Sequence, residues 1–272
     1  MTAVGGGHWT EIARRWGHVG PPLRPGAADL AFYAEVFSGR TAPRALLLGV
    51  TPELYRLPWP DGADVIAVDH TPAMIDALWP GPAAAVVCAD WTDMELEPGS
   101  RDVVLGDGVF HLLDHPGGQA RLVDNLARVV RPGGVVGLRL FVPPGAADRE
   151  APASVLADLS AGRVANLNLL KLRLGMALQP DPCAGVALGA VYAALDEAEP
   201  DLAALAARLG WDLDHLLAIE SYRGSDSHYS FVTVDEVGEL FVRRGFELEA
   251  VHVPSYELGE RCPTVVFRHP AP

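Results

Sequence analysis

The strongest constraint on what this chain can fold into is the stretch 45–69, ALLLGVTPELYRLPWPDGADVIAVD. Its opening apolar run, 45–48, is long enough for a strand buried on both faces. Gly49 breaks the run, and Thr51-Pro52-Glu53 has the makings of a helix start: Thr suits the N-cap, Pro the first helical position, and an acid the first turn. A second apolar run, 65–68, ends on Asp69. Strand, glycine turn, helix, strand and acid together outline a nucleotide-binding βαβ unit.

The alternation continues. A short helix is expected from Pro72, and a third strand over 84–89 that ends at Asp90. Ser100-Arg101-Asp102 leads into a fourth strand that closes at Asp107-Gly108. Residues 119–130 place Leu122, Val123, Leu126 and Val130 on one helical face. Arg131-Pro132-Gly133-Gly134 then stops that helix and turns into a fifth strand, 135–141. Strands alternating with helices at this spacing predict a parallel sheet covered on both faces.

Helical patterns over 164–178, 185–195 and 201–209 then follow without a convincing strand, so residues 151–229 read as a helical insertion over the sheet's carboxyl edge. A helix over 234–243, with Thr233 as N-cap and Gly245 as terminator, returns the chain to the sheet. The last two strands, 247–253 and 264–267, are joined too closely for a crossover helix and should be antiparallel neighbours. Ahead of the sheet, residues 1–7 are Gly-rich and expected to be irregular, while 8–16 and 27–37 have helical spacing. The division expected is an N-terminal helical cap, 1–40, a core from 41–150 and 230–272, and the insertion, 151–229, as lid and substrate region.

Composition narrows the partners. A formal charge of −14, from 35 acids against 21 Lys and Arg and without a basic stripe, argues against nucleic acid and anionic membrane. Three widely spaced cysteines, with no C-x-x-C pair, suggest neither a disulfide framework nor a metal site. With no signal segment and no uncharged run of membrane-spanning length, a cytoplasmic protein is expected, either monomer or homodimer.

The βαβ unit, Asp90-Trp91 and the 131–134 turn together resemble the core of class I S-adenosylmethionine (SAM) dependent methyltransferases, small-molecule type. The resemblance covers residues 43–141 and, weakly, the final strands. It implies an α/β fold: a doubly wound, mainly parallel seven-stranded sheet with a terminal antiparallel strand pair, here with the helical insertion added. In that superfamily the first strand ends in an acid and a Gly-x-Gly-x-Gly loop follows. This chain keeps Gly49 but has Leu47 in place of the acid, and Thr51 and Glu53 in place of the later glycines.

Ligands of open α/β sheets lie beyond the carboxyl ends of the strands. The residues there that match the superfamily's cofactor positions are Gly49, Thr51, Glu53, Asp69, His70, Met74, Asp90, Trp91 and Asp107. Asp69 resembles the acid that accepts both ribose hydroxyls, with helix capping as its alternative. Asp90 resembles the acid that accepts the adenine amino group, Met74 the apolar packing residue, and Glu53 is assigned the SAM ammonium. His111 is the best-placed candidate base. Arg139, in the fifth strand, needs either Asp107 or an anionic substrate group to justify its place. For the substrate, Trp16, Arg24, Tyr33, Tyr222, His228 and Tyr229 are candidates; ordinary core packing is the alternative for the first three. The insertion also brings Asn166, Asn168, Lys171 and Arg173, some of them merely solvated.

The resemblance implies methyl transfer from SAM to an O, N or C nucleophile of a small molecule, with the insertion excluding water. Two alternatives stand beside it. One is a methyltransferase-fold protein that uses the pocket for cyclisation or rearrangement, the other a non-catalytic binding or regulatory protein.

Overall fold

The computed structural model describes residues 6–271, with side chains from Trp9 onward. Part of the expected irregular segment, residues 1–5, lies outside the described residues. Gly6 and Gly7 already belong to helix α1, Gly6–Arg14. A 3-10 turn, Trp16–His18, and helix α2, Ala27–Val36, complete the N-terminal region.

The core runs β1 Arg44–Leu48, α3 Pro52–Tyr55, β2 Asp64–Asp69, α4 Pro72–Leu78, β3 Val86–Cys88, β4 Arg101–Asp107, α5 Gly117–Val129 and β5 Val130–Arg139. Helices α6 Pro152–Ser160, α7 Leu167–Leu178, α8 Leu188–Ala198, α9 Leu202–Leu209 and α10 Leu213–Leu216 follow, with a two-residue strand β6, Val186–Ala187, between α7 and α8. A 3-10 segment, Leu217–Tyr222, and strand β7, His228–Tyr229, lead to α11 Val234–Val242, β8 Glu247–His252 and β9 Thr264–Arg268.

Seven strands form one sheet in the order β3-β2-β1-β4-β5-β9-β8. The first five are mutually parallel, and β9 is antiparallel to both β5 and β8. Strand order reverses beside β1, so a crevice opens between the carboxyl ends of β1 and β4. Both faces are dry because side chains alternate along each strand. Ala45, Leu47, Val103, Leu105 and Val135 pack toward Tyr33, Phe37, Leu54 and Met74 on one side. Leu46, Leu48, Val104, Val136 and Leu138 pack toward α5 and α11 through Leu122, Leu126, Val237 and Phe241 on the other. Leu47, which stands where the resemblance led one to expect an acid, is a fully buried part of the first layer.

A third apolar cluster, including Leu159, Leu170, Leu174, Leu195 and Leu216, binds the insertion helices to one another and to Phe141 at the sheet edge. Thr233 caps α11 as expected, its hydroxyl accepting from Glu236 N while the Glu236 carboxylate accepts from Thr233 N. Gly245, at φ 83°, ends that region.

Three local expectations need correction. The third strand is shorter than 84–89, because Ala83–Ala85 forms a 3-10 turn; alanines suit strands poorly, and β3 is at the sheet's edge. The 131–134 turn is absorbed into β5 as an irregularity in its pairing with β4, with Gly133 at φ 78°, and β5 ends at Arg139. The region expected to be purely helical contributes one strand, β6, paired antiparallel with β7. Two residues are too few to show a period in sequence. Among the described residues no helix is long and apolar enough to cross a membrane.

Candidate cofactor and acceptor site

A cavity of about 1120 Å³, including its mouth, lies over the carboxyl ends of β1, β2 and β4. Its floor is Leu48 to Thr51, Asp69 to Thr71, Met74 and Trp91. Its roof comes from outside the core: Trp9, Ile12 and Trp16 from the N-terminal region, Asn168 and Lys171 from α7, and Ser221 and Tyr222 from the 3-10 segment. The α1 helix packs against both α4 and the Leu217–Tyr222 segment, which holds the roof to the floor.

Gly49 turns the chain from β1 into α3 at φ 87°, in the left-handed region that favours glycine. A Cβ at this position would lie 3.6 Å from Trp91 Cζ2 and 3.8 Å from Asp69 Oδ2, on the cavity floor. Asp69 is buried there; its Oδ1 accepts from Thr71 N at 2.9 Å and its Oδ2 from Val50 N at 3.4 Å. Each oxygen keeps a further lone pair. Burial raises the Asp69 carboxyl above its ordinary value, with the Thr71 N–H and His70 opposing. Trp91 is fixed by its indole N–H, which donates to Val68 O at 2.6 Å. Thus Gly49, Asp69 and Trp91 converge, with Met74 and Thr51 beside them. His70 is at the exposed rim. Asp90 is exposed and faces an outer hollow shared with Trp9, His70 and His228; its Oδ1 accepts from Thr92 N at 2.7 Å and Thr92 Oγ1 at 2.8 Å.

Glu53 does not line the cavity. Its Oε1 accepts from Arg24 Nε at 2.6 Å, and its Oε2 is buried with no partner among the described residues. Arg24 in turn lies over the Trp16 ring, 5.1 Å from its centroid, so this cation steadies a roof residue instead of facing an acceptor.

Arg139 and Tyr33 are also placed differently from what the sequence suggested. The Arg139 guanidinium is fully buried and donates to both Asp107 oxygens, at 2.5 and 3.1 Å, and to Pro22 O at 2.7 Å. Burial works against its charge, but the Asp107 carboxylate outweighs that and holds it well above its usual range. An arginine so engaged has no fork to offer a substrate. Tyr33, also fully buried, donates to Gly106 O at 2.7 Å and accepts from Arg139 N at 2.9 Å, tying α2 to β4 and β5. Its role is to hold strands, and the catalytic and substrate expectations for Arg139 and Tyr33 give way to that.

His111 does face the cavity, between Phe141 at 4.8 Å and Tyr229 at 4.6 Å centroid distance. Burial, and secondarily the Arg139 charge, lower its pKa to about 3, so the ring is neutral at neutral pH and a weak base. Its Nδ1 has no partner among the described residues. Tyr222 and Tyr229 line the cavity as expected, whereas His228 is exposed outside it and its Nδ1 lies 2.8 Å from Asp226 O. Sequence reasoning missed most of the roof, Trp9, Leu23 and Ser221 included, since α1 and the Leu217–Tyr222 segment are far apart in sequence. It noted Asn168 and Lys171 without giving them a place. Among the described residues no group of three or more His, Cys, Asp or Glu is positioned to hold a metal ion.

The family described as "Methyltransferase domain" matches residues 46–138. Uncharacterized methyltransferases of Mycobacterium bovis and Mycobacterium tuberculosis are 37% identical over 78 residues, 28% of this chain and 30% of theirs. The match therefore spans less than a third of those relatives. Among solved structures, a Rhodobacter sphaeroides protein provisionally described as a Zn-dependent alcohol dehydrogenase superposes with TM-score 0.62 at 16% identity, covering all of both chains. The CcbJ methyltransferase of Streptomyces caelestis gives 0.53 at 17%, over 98% of each chain. A SAM-dependent methyltransferase from Aquifex aeolicus gives 0.50 at 13%, over 95% of this chain and 97% of its own. At these identities the likeness is one of fold. With β9 antiparallel to its neighbours beside a parallel sheet, and the domain match over residues 46–138, this chain has the class I SAM-dependent methyltransferase fold.

Proposed function

We propose that the protein is a SAM-dependent methyltransferase that acts on a small molecule. The observation that carries this reading is the cradle in which Gly49, at φ 87°, leaves open the space beside the buried Asp69 carboxylate. Two hydroxyls side by side are the ligand groups that such a carboxylate accepts best, and a ribose presents them. Met74 and the Trp91 ring supply an apolar surface for the base, and Asp90 an acceptor at the outer edge. At the methionine end the chain offers the floor from Gly49 to Thr51; Glu53, outside the cavity and paired with Arg24, supports that turn in place of an ammonium contact. A floor that a Cβ would fill and a buried carboxylate with lone pairs to spare both fit the cofactor.

Bound SAM supplies an electrophilic methyl group on a sulfonium. What the chain must then do is position an acceptor in line and keep water away. The roof from α1, α7 and the Leu217–Tyr222 segment serves both ends, and the Arg139–Asp107 pair keeps the β4 and β5 ends rigid. His111 is assigned a neutral hydrogen-bonding face toward the acceptor. Three free cysteines, two of them exposed, support a reducing, cytoplasmic setting. Calorimetric titration with SAM and with its demethylated product tests the reading. Binding of both is expected, and binding of neither overturns it.

A further inference from the structure

Beside His111 the cavity adjoins a second, smaller pocket of about 300 Å³, lined mainly by Leu23, Phe141, Leu188, Val191 and Phe231. Into this apolar space one charged side chain projects, that of Lys171. It is the chain's single lysine: the other 20 of its 21 basic residues are arginine. Every other cation here is the delocalised, flat kind; this one is a compact point charge. Resting on the Proposed function for its neighbouring cofactor, we propose that this pocket binds an apolar acceptor bearing an ionised oxygen acid, carboxylate or phenolate, which pairs with the Lys171 ammonium.

The charges around it leave that vacancy. Three acids line the cavity, and all are engaged: Glu11 by Arg15 at 2.6 Å, Asp107 by Arg139, and Asp69 by backbone N–H groups at the opposite end. No carboxylate among the described residues lies within 4.0 Å of Lys171 Nζ, which has only Ala218 O at 3.4 Å and the Tyr222 ring at 4.6 Å. An ammonium has three donors, and one long hydrogen bond leaves two directions for a ligand. Desolvation lowers its pKa to about 8, so it is still mainly cationic at neutral pH and would gain by meeting an anion. The Tyr222 and Tyr229 hydroxyls, hydrogen-bonded to each other and pushed up by burial, are neutral and add no negative charge. A half-buried cation facing an apolar pocket selects against neutral isosteres, because it stays unpaired when they bind.

The test compares isosteres. Benzoate against benzamide, and 4-nitrophenolate against 4-nitroanisole, are titrated into wild type, Lys171→Met and Lys171→Arg, each saturated with demethylated SAM. Wild type is expected to prefer at least one anion over its neutral partner by about tenfold or more, and Lys171→Met to lose that preference while Lys171→Arg keeps part of it. The two arms separate carboxylate from phenolate. Because Lys171 is the single lysine, reductive ¹³C-methylation labels it and the N-terminus alone, and its NMR signal should shift with the preferred anion. Equal binding of anions and neutral isosteres by wild type, which needs no variant to fold, overturns the proposal. So does an unchanged preference in Lys171→Met. Titration of the demethylated product on its own tells the two readings apart: if it does not bind but the anions still select for Lys171, the pocket assignment stands and the cofactor reading falls.

Discussion

Arg139 grips Asp107 with two hydrogen bonds, of 2.5 and 3.1 Å, at the point where β4 and β5 end beside the cavity. Both side chains are buried, so neither charge is compatible with the fold without the other. Arg139→Met should cost about 3–5 kcal/mol of stability, because an unpaired carboxylate is left behind. Urea unfolding of the variant measures this. The double variant Arg139→Met with Asp107→Asn should recover much of the loss, and failure to recover would mean the pair is not the reason.

Gly49→Ala should be harmful twice over. Its left-handed backbone would be strained by roughly 1–2 kcal/mol, and the added methyl group would occupy the floor beside Trp91 and Asp69. Unfolding and SAM titration read the two effects separately, and a SAM affinity equal to that of wild type would remove Gly49 from the cradle.

Glu53→Gln leaves a neutral side chain where the buried Oε2 has no partner. With Glu53 outside the cavity, what weakens is the Arg24 pair that steadies Trp16 on the roof, so SAM and adenosine, which has no ammonium, should lose affinity together when each is titrated. A loss confined to SAM would contradict this and assign Glu53 the cofactor's ammonium.

His111 sets a pH dependence with a definite sign. Its folded pKa is about 3 against an ordinary 6.5, so as pH falls through 6.5 the unfolded chain takes up a proton that the folded chain refuses. Stability is therefore lost on acidification, at up to about 1.4 kcal/mol per pH unit from this residue. His111→Phe should show a shallower decline between pH 6 and pH 4 in urea midpoints, and identical slopes would contradict the burial argument.

The sheet was legible because its strands are continuous apolar runs that end in acids or glycine, and both signals are local. Asp69, Gly49 and Trp91 stood out for the same reason: each is within a few residues of a strand end. Arg139 was recognised as needing a partner, and Asp107 was named, but sequence alone could not exclude a substrate anion; register pairing of 107 with 139 does. Tyr33 reads in sequence as a cleft residue, since a helical aromatic that points at a strand carbonyl looks the same there as one that points into a cleft. Lys171 was hidden by its setting, LLKLRLG, where a cation reads as the solvated side of a helix. Its apolar address comes from Ala218 and Tyr222, which it touches, and from Phe141, Leu188, Val191 and Phe231 around the pocket.

Whether Asp69 holds the cofactor's sugar is read by SAM affinity, measured calorimetrically for wild type and Asp69→Ala. Loss of a carboxylate acceptor to two hydroxyls predicts a weakening of about 10- to 150-fold, with the unfolding midpoint showing the variant folded. A folded Asp69→Ala protein that binds SAM as tightly as wild type would contradict the account.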